Sequence, residues 1–222
     1  MLILCDFDNT ITSCDVTNLI WDKRLGPGWR EELLPPYYAG TTSHFELMAG
    51  AYKRITASEA DLLKDIEGKV ELRPGFLDLL DFCAARAWPF VVVSGGLDFY
   101  VRAILPPGLR VLSYSARFGD GCEVRYPEGL TPAPGEDFKL HVIRILRAEH
   151  PGDPIAFAGD GKNDFPAAEE AEMVFALAGS RLEEMCESAG VPFRAFTDFF
   201  DVLRALDGAP VGGPVPGEPP GH

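Results

Sequence analysis

The chain has 222 residues, with 34 Asp and Glu against 20 Lys and Arg, and a formal net charge of -14. That charge repels nucleic acid and anionic lipid and argues against both as partners. The length suits one α/β domain with a sizeable core plus a small accessory module. Cys5, Cys14, Cys83, Cys122 and Cys186 are scattered without a CxxC pair, so they read as reduced thiols rather than a disulfide framework or zinc knuckle. Met1 opens a strand-like run in place of a basic leader, and no apolar stretch reaches membrane-spanning length, so a cytoplasmic location is expected.

In chain order, the first apolar run, LILC, ends at Asp6 and reads as a buried parallel strand with chemistry at its carboxyl end. The DFDNTIT that follows sets Asp6 and Asp8 two residues apart, and such a carboxylate pair must be offset by a cation or share a proton. A calcium loop begins with this spacing but needs glycine sixth and glutamate twelfth, where this chain has Ile11 and Thr17. From Ser13 to Leu72 there are helical patterns, and loops marked by Gly26-Pro27-Gly28 and Pro35-Pro36, but no convincing strand. Residues 13–72 therefore read as a helical cap inserted after the first strand.

Residues 74–87 predict a helix opening after Pro74, with Phe76, Leu79, Leu80 and Phe82 as its apolar repeat. The run PFVVV then ends at Ser94-Gly95-Gly96, whose hydroxyl and consecutive N–H groups can approach an anion without obstruction by Cβ. Residues 111–127 predict a core strand and a hairpin turning at Gly119-Asp120-Gly121. Lys139 heads a helix over 139–148 with Val142, Ile145 and Leu146 on one face. IAFA ends at GDGKND, Gly159 to Asp164, where two carboxylates and an amide on a glycine-punctuated loop suit magnesium. From Ala209 the chain is rich in Gly and Pro, and a disordered tail over 209–222 is expected. The alternation implies a doubly wound parallel α/β sheet, in which ligands bind beyond the carboxyl ends of the strands.

Singly, each cluster has an ordinary reading: a turn for Ser94-Gly95-Gly96, a helix cap for Asp164, a solvated charge for Lys139. In order and spacing, however, Asp6, Asp8 and Thr10, then Ser94, then Lys139, then Asp160 and Asp164 match the four-motif pattern of the haloacid dehalogenase superfamily over nearly the whole chain. The segment between the first two motifs resembles a C1 cap. PFVVVSGGLDFYV and TDFFDVL resemble the 2-hydroxy-3-keto-5-methylthiopentenyl-1-phosphate phosphatases, whereas GDGKND is nearer to the phosphoserine phosphatases.

The resemblance implies a Rossmannoid catalytic core over 1–12 and 73–208 and a magnesium-dependent phosphatase acting through an aspartyl phosphate. Asp6 would be the nucleophile and Asp8 the general acid and base. Asp6, Asp160 and the Asp8 backbone carbonyl would hold Mg2+, supported by Asp164, and Thr10 would support the first loop. Ser94, Gly95, Asn163 and Lys139 would bind phosphate, with Lys139 also offsetting the nucleophile's charge. Phosphomutase chemistry, a phospho-acceptor protein without turnover and dehalogenation are alternatives. Asp8 in the acid/base position, the inserted helical segment and the magnesium loop count against them in turn. Asp15 is either an N-cap or a contact to a substrate amine, and Lys53 and Arg54 are candidate carboxylate contacts. Trp21, Trp29, Tyr37, Tyr38 and Phe45 enrich the cap in aromatics. The expected partner is a small phosphorylated metabolite, methylthio-enol phosphate before phosphoserine, and a homodimer stays open.

Overall fold

Uninterrupted runs of Leu, Ile, Val and Phe make strands that must be buried on both faces, and the helices between them supply the cover. A computed structural model of the chain describes residues 1–119 and 121–208; the expected tail at 209–222, and Asp120 in the hairpin turn, lie outside the described residues. Seven strands, β1 (Leu2–Cys5), β2 (Phe90–Leu97), β3 (Arg110–Phe118), β4 (Cys122–Arg125), β5 (Ile155–Gly159), β6 (Met173–Leu177) and β7 (Arg194–Phe196), form one sheet in the order β4-β3-β2-β1-β5-β6-β7. Each neighbouring pair is parallel except β3 with β4, the hairpin whose turn is closed by Gly119 N–H donating to Gly121 O at 2.9 Å. The doubly wound α/β class read from the alternation is the one found. Because β1 lies between β2 and β5, the crossovers leave it in opposite directions and open a crevice beyond its carboxyl end.

The insert after β1 holds four helices, α1 (Val16–Arg24), α2 (Trp29–Tyr38), α3 (His44–Tyr52) and α4 (Glu59–Ile66). Their starts are written in the sequence. Asp15 caps α1 by accepting from Asn18 N–H, and Ser43 with Glu46 and Ser58 with Asp61 form capping boxes on α3 and α4. Pro35 and Pro36, expected to mark a loop, instead lie inside α2. They donate nothing, but their carbonyls accept from Ala39 and Thr41 N–H and so close the last turn. Trp21 packs edge-on against Trp29 at 4.9 Å and Tyr52 at 6.0 Å, which gives the insert its own apolar centre. No helix among the described residues is long and apolar enough to cross a membrane.

The remaining helices are α5 (Phe76–Ala85), α6 (Asp98–Ile104), α7 (Phe138–Glu149), α8 (Phe165–Ala168), α9 (Arg181–Ala189) and α10 (Phe199–Asp207). Two apolar faces differ from expectation. In α7 Ile143 is buried where Ile145 was expected, and in α5 Cys83 is buried while Leu80 and Phe82 are half-covered. In α7 the buried face is the i, i+3, i+4, i+7 stripe Lys139, Val142, Ile143 and Leu146, which leaves Ile145 at its edge. The strands β6 and β7 were not read from the sequence.

Candidate active site

β1 delivers Asp6 to the crevice, anchored by Asp6 N–H donating to Ala158 O at 2.8 Å. The chain then makes one wide helical turn, Phe7–Ile11, which departs from helical angles at Asp8 and turns left-handed at Asn9 (φ 56°). On the other side β5 delivers Asp160, and the short turn Lys162–Asp164 brings Asp164 back beneath it. Asp164 is fully buried, its Oδ2 accepting from Asp160 N–H at 3.0 Å and Gly161 N–H at 2.7 Å. Gly159 admits this return, since a Cβ there would fall 2.6 Å from the Asp164 carboxyl carbon.

Lys139, one residue into α7, joins the two halves. Asp137 caps this helix by accepting from Lys139 and Leu140 N–H, and the Lys139 ammonium donates to Asp6 Oδ1 and Asp164 Oδ1, each at 2.5 Å. Burial works against that charge, but Asp164 and Asp6 outweigh it and hold the pKa above its ordinary value. Asp6 is raised well above the usual carboxylate range, first by burial and then by Asp164, with Lys139 opposing. Asp160 is pushed up to about 6 by the same two causes, while Asn9 Nδ2 donates to it at 2.7 Å and Thr10 Oγ1 at 3.2 Å. Asp6, Asp160 and Asp164 each offer an oxygen within 4.8 Å of the others. An all-carboxylate set of this kind fits a hard divalent cation such as magnesium.

Asp8 points elsewhere. Its Oδ1 accepts from Val16 N–H at 2.8 Å and its Oδ2 from the Tyr100 hydroxyl at 3.0 Å. Tyr100 is joined in turn to Thr17 by a 2.7 Å hydroxyl contact. Burial first, and the Asp15 carboxylate second, push the Asp8 pKa up to about 8. Burial and Asp15 thus favour the protonated form of Asp8, which lies on the wall of the cavity that also holds Asp6.

β2 does not turn at Ser94 as expected but runs on to Leu97, with a register shift against β3 between Ser94 and Leu97. The reason is close approach. A Cβ at Gly95 would lie 2.4 Å from the His44 ring, and one at Gly96 would lie 2.2 Å from Tyr100 Oη and 2.6 Å from Asp8 Oδ2. Gly95, Gly96 and Asn163 line a cavity of about 510 Å³ together with Asp6, Asp8 and Asp160. Ser94, expected there, is fully buried, accepts from Gly96 N–H at 2.9 Å and does not line it.

From the insert, Asp15, Trp21, Leu34, Tyr37, His44 and Met48 reach the same cavity. Asp15 thus both caps α1 and faces the cavity. Arg54 is corrected: it pairs with Glu32 at 3.1 Å on the exposed side of the insert and does not line the cavity, and Lys53 lines a separate cleft. Burial lowers the His44 pKa to about 3, so the ring is neutral, and neither its Nδ1 nor Trp21 Nε1 has a partner among the described residues. Lys162, from the loop of Asp160 and Asp164, donates to Tyr37 O at 2.7 Å and Tyr38 O at 3.2 Å at the end of α2. Sequence reasoning missed Tyr100, Arg73 and His44. Tyr100 lies within the PFVVVSGGLDFYV segment, and Arg73 stands beside Pro74-Gly75 at the return from insert to core.

Residues 3–169 match the family model described as haloacid dehalogenase-like hydrolase. The chain is 32% identical over 217 residues to the bifunctional enzyme MtnB/MtnX of Bacillus licheniformis, covering 93% of this chain and 49% of that relative, so it spans about half of that protein's length. It is 28% identical to the 2-hydroxy-3-keto-5-methylthiopentenyl-1-phosphate phosphatase of Exiguobacterium sibiricum, covering 92% of this chain and 95% of the relative. Among solved structures, a substrate-bound phosphoserine phosphatase complex is similar in fold, with a TM-score of 0.74 at 18% identity, covering 92% of this chain and 97% of that one.

Proposed function

The chain belongs to the haloacid dehalogenase-like hydrolase family, and from that premise we propose that it is a magnesium-dependent phosphatase of small phosphomonoesters. Asp6 attacks phosphorus, the bond from phosphorus to the leaving oxygen breaks, and that oxygen takes the proton held by Asp8. Water then attacks the aspartyl phosphate, Asp8 recovers a proton from it, and inorganic phosphate leaves with Asp6 restored. One observation carries this reading: Asp8, held by Val16 N–H and the Tyr100 hydroxyl, lines the same cavity as Asp6, which is paired with the buried Lys139 ammonium. The two carboxyl groups have different partners, an amide and a hydroxyl for the acid and an ammonium for the nucleophile.

Asp6 and Asp160, with the Asp8 carbonyl and support from Asp164, would hold the magnesium ion. When bound it supplies positive charge against the phosphate and the nucleophile. Lys139 opposes the burial that raises the Asp6 pKa and orients its carboxylate, and the N–H groups about Gly95 and Asn163 offer donors to phosphate oxygens. Residues 13–72 act as a cap over a core made of 1–12 and 73–208. On its cap side the cavity presents Trp21, Leu34, Tyr37 and Met48 with a neutral His44. Such a lining favours an uncharged, partly apolar group, as in 2-hydroxy-3-keto-5-methylthiopentenyl-1-phosphate. Asp15, a carboxylate facing the cavity, favours phosphoserine as the second reading, but Arg54 does not line the cavity and Arg181, which does, is paired with Glu184.

The test is phosphate release from a panel of phosphomonoesters with magnesium, with Asp6→Asn as control. Turnover is expected to vanish in Asp6→Asn, and kcat/KM for the uncharged enol or sugar phosphate is expected to exceed that for phosphoserine by more than about tenfold, roughly 1.4 kcal/mol. Wild-type rates in pure Asp6→Asn protein would sink the mechanism, and a preference for phosphoserine that disappears in Asp15→Ala would reverse the substrate choice.

A further inference from the structure

The turn carrying Asp6 and Asp8 does not support itself. Between Phe7 and Ile11 the backbone leaves helical geometry at Asp8 (ψ 129°) and enters the left-handed region at Asn9 (φ 56°), which asparagine tolerates at a cost. A turn so broken leaves carbonyls without intrahelical partners, and buried carbonyls need donors. Arg73 supplies them. Its Nη2 donates to Asn9 O at 2.7 Å and Thr12 O at 3.4 Å, and its Nε donates to Thr10 O at 2.8 Å. Its Nη1 donates to Thr197 O at 3.2 Å, just ahead of α10. One planar fork thus ties the turn to the far end of the core, a task the single ammonium of lysine does not match.

Arg73 also stands where the insert rejoins the core. Ser13 N–H donates to Glu71 O at 2.9 Å, Thr12 pairs with Leu72, and Arg73 N–H donates to Ile11 O at 2.7 Å. The two segments joining α1–α4 to the sheet therefore run side by side and end on the residue that grips the Asn9 turn. Asp8 feels both ends of this arrangement. Its backbone precedes Asn9, and its carboxylate accepts from Val16 N–H, the first residue of α1.

We propose that Arg73 is a positioning residue that holds the Asn9 turn and thereby fixes the aim of Asp8 between the core and α1. This rests on the reading of Asp6 and Asp8 as the reacting groups. Arg73 does not line the cavity, so its action passes through the backbone of the turn.

The experiment compares wild type with Arg73→Met, Arg73→Lys and Arg73→Ala by hydrolysis of p-nitrophenyl phosphate with magnesium, and by hydrogen exchange at the amides of Asn9 and Thr12. Both amides are hydrogen-bonded, to Cys14 O at 3.0 Å and Phe7 O at 3.1 Å, so their protection is measurable. A displacement of the turn on the order of 1 Å predicts a fall in kcat of about 100-fold in Arg73→Met. KM should stay within about threefold, because the phosphate-facing amides lie on another element. The two amides should exchange at least about tenfold faster. Millimolar guanidinium should recover part of kcat in Arg73→Ala, which a general loss of stability would not allow. Unchanged kcat in folded Arg73→Met, or unchanged exchange at both amides, would overturn the proposal. If Arg73→Met fails to fold, Arg73→Lys, which keeps stem and charge, carries the same two measurements. A wild type that hydrolyses no phosphomonoester defeats the phosphatase reading instead, and the exchange comparison still decides the role of Arg73.

Discussion

Replacing Lys139 by methionine tests the electrostatics of the site most directly. The side chain is 1% exposed, with its ammonium 2.5 Å from one oxygen each of Asp6 and Asp164, which are 7% and 0% exposed. Methionine keeps most of the apolar stem and removes the cation, leaving two buried carboxylates facing each other with Asp160 nearby. Removing one partner of a buried ion pair costs about 3–5 kcal/mol. At roughly 2–4 °C per kcal/mol for a chain of this size, the variant should melt on the order of 6–20 °C below wild type without divalent cation. The pH dependence has a definite sign. Asp6 is already raised by burial and then by Asp164, and losing Lys139, which opposes both, raises it further. A carboxyl with a raised folded pKa favours folding while protonated, so the deficit should be small near the unfolded carboxylate range and grow as pH rises through the folded value. Calorimetric melts of both proteins at about pH 5 and about pH 8 measure this, and magnesium should narrow the gap at the higher pH. A deficit below about 1 kcal/mol, or one of equal size at both pH values, would refute the assignment of Lys139 as the buried counter-charge.

Two further outcomes concern proton and metal. Asp8, pushed up to about 8 chiefly by burial, can act as an acid only while protonated. Thus kcat/KM should fall as pH rises beyond about 8, and Asp8→Asn should cost about 10²- to 10⁴-fold and flatten that limb; an unchanged alkaline limb in Asp8→Asn assigns it to another group. Asp160, pushed up to about 6 by burial and Asp164, must lose its proton to bind a cation, so magnesium affinity should weaken as pH falls through that value, with proton release on binding. Titration calorimetry in buffers of different ionisation enthalpy measures that release, and pH-independent binding in the presence of Asp160 would count against it as a ligand.

Much of the fold was legible because its signals are local. LILC, PFVVV and IAFA are continuous apolar runs ending in polar clusters, and a strand buried on both faces has no other pattern. The cap at Asp15 lies within three residues of the amide it satisfies, and those at Ser43 and Ser58, not singled out in the sequence, are equally local. Pro35-Pro36 misled because the pair removes two helical donors, a breaking signal in the sequence, yet its carbonyls still accept from Ala39 and Thr41 N–H and the last turn of α2 forms. The strand β7 escaped because three residues, two of them exposed, carry no periodicity.

By itself the sequence determined the α/β class and the order of the polar clusters, and it singled out Asp6, Lys139, Asp160 and Asp164 as candidates because they follow on apolar runs or stand at the head of a helix. Tertiary structure alone decided which groups complete them. Tyr100 reaches Asp8 across 92 residues and Arg73 reaches Asn9 across 64. It also withdrew Ser94 from the cavity and turned Arg54 toward Glu32. The physical reason is that a buried carboxyl or carbonyl must find a donor but does not specify where in the chain the donor lies. Packing of β1 between β2 and β5 chooses it.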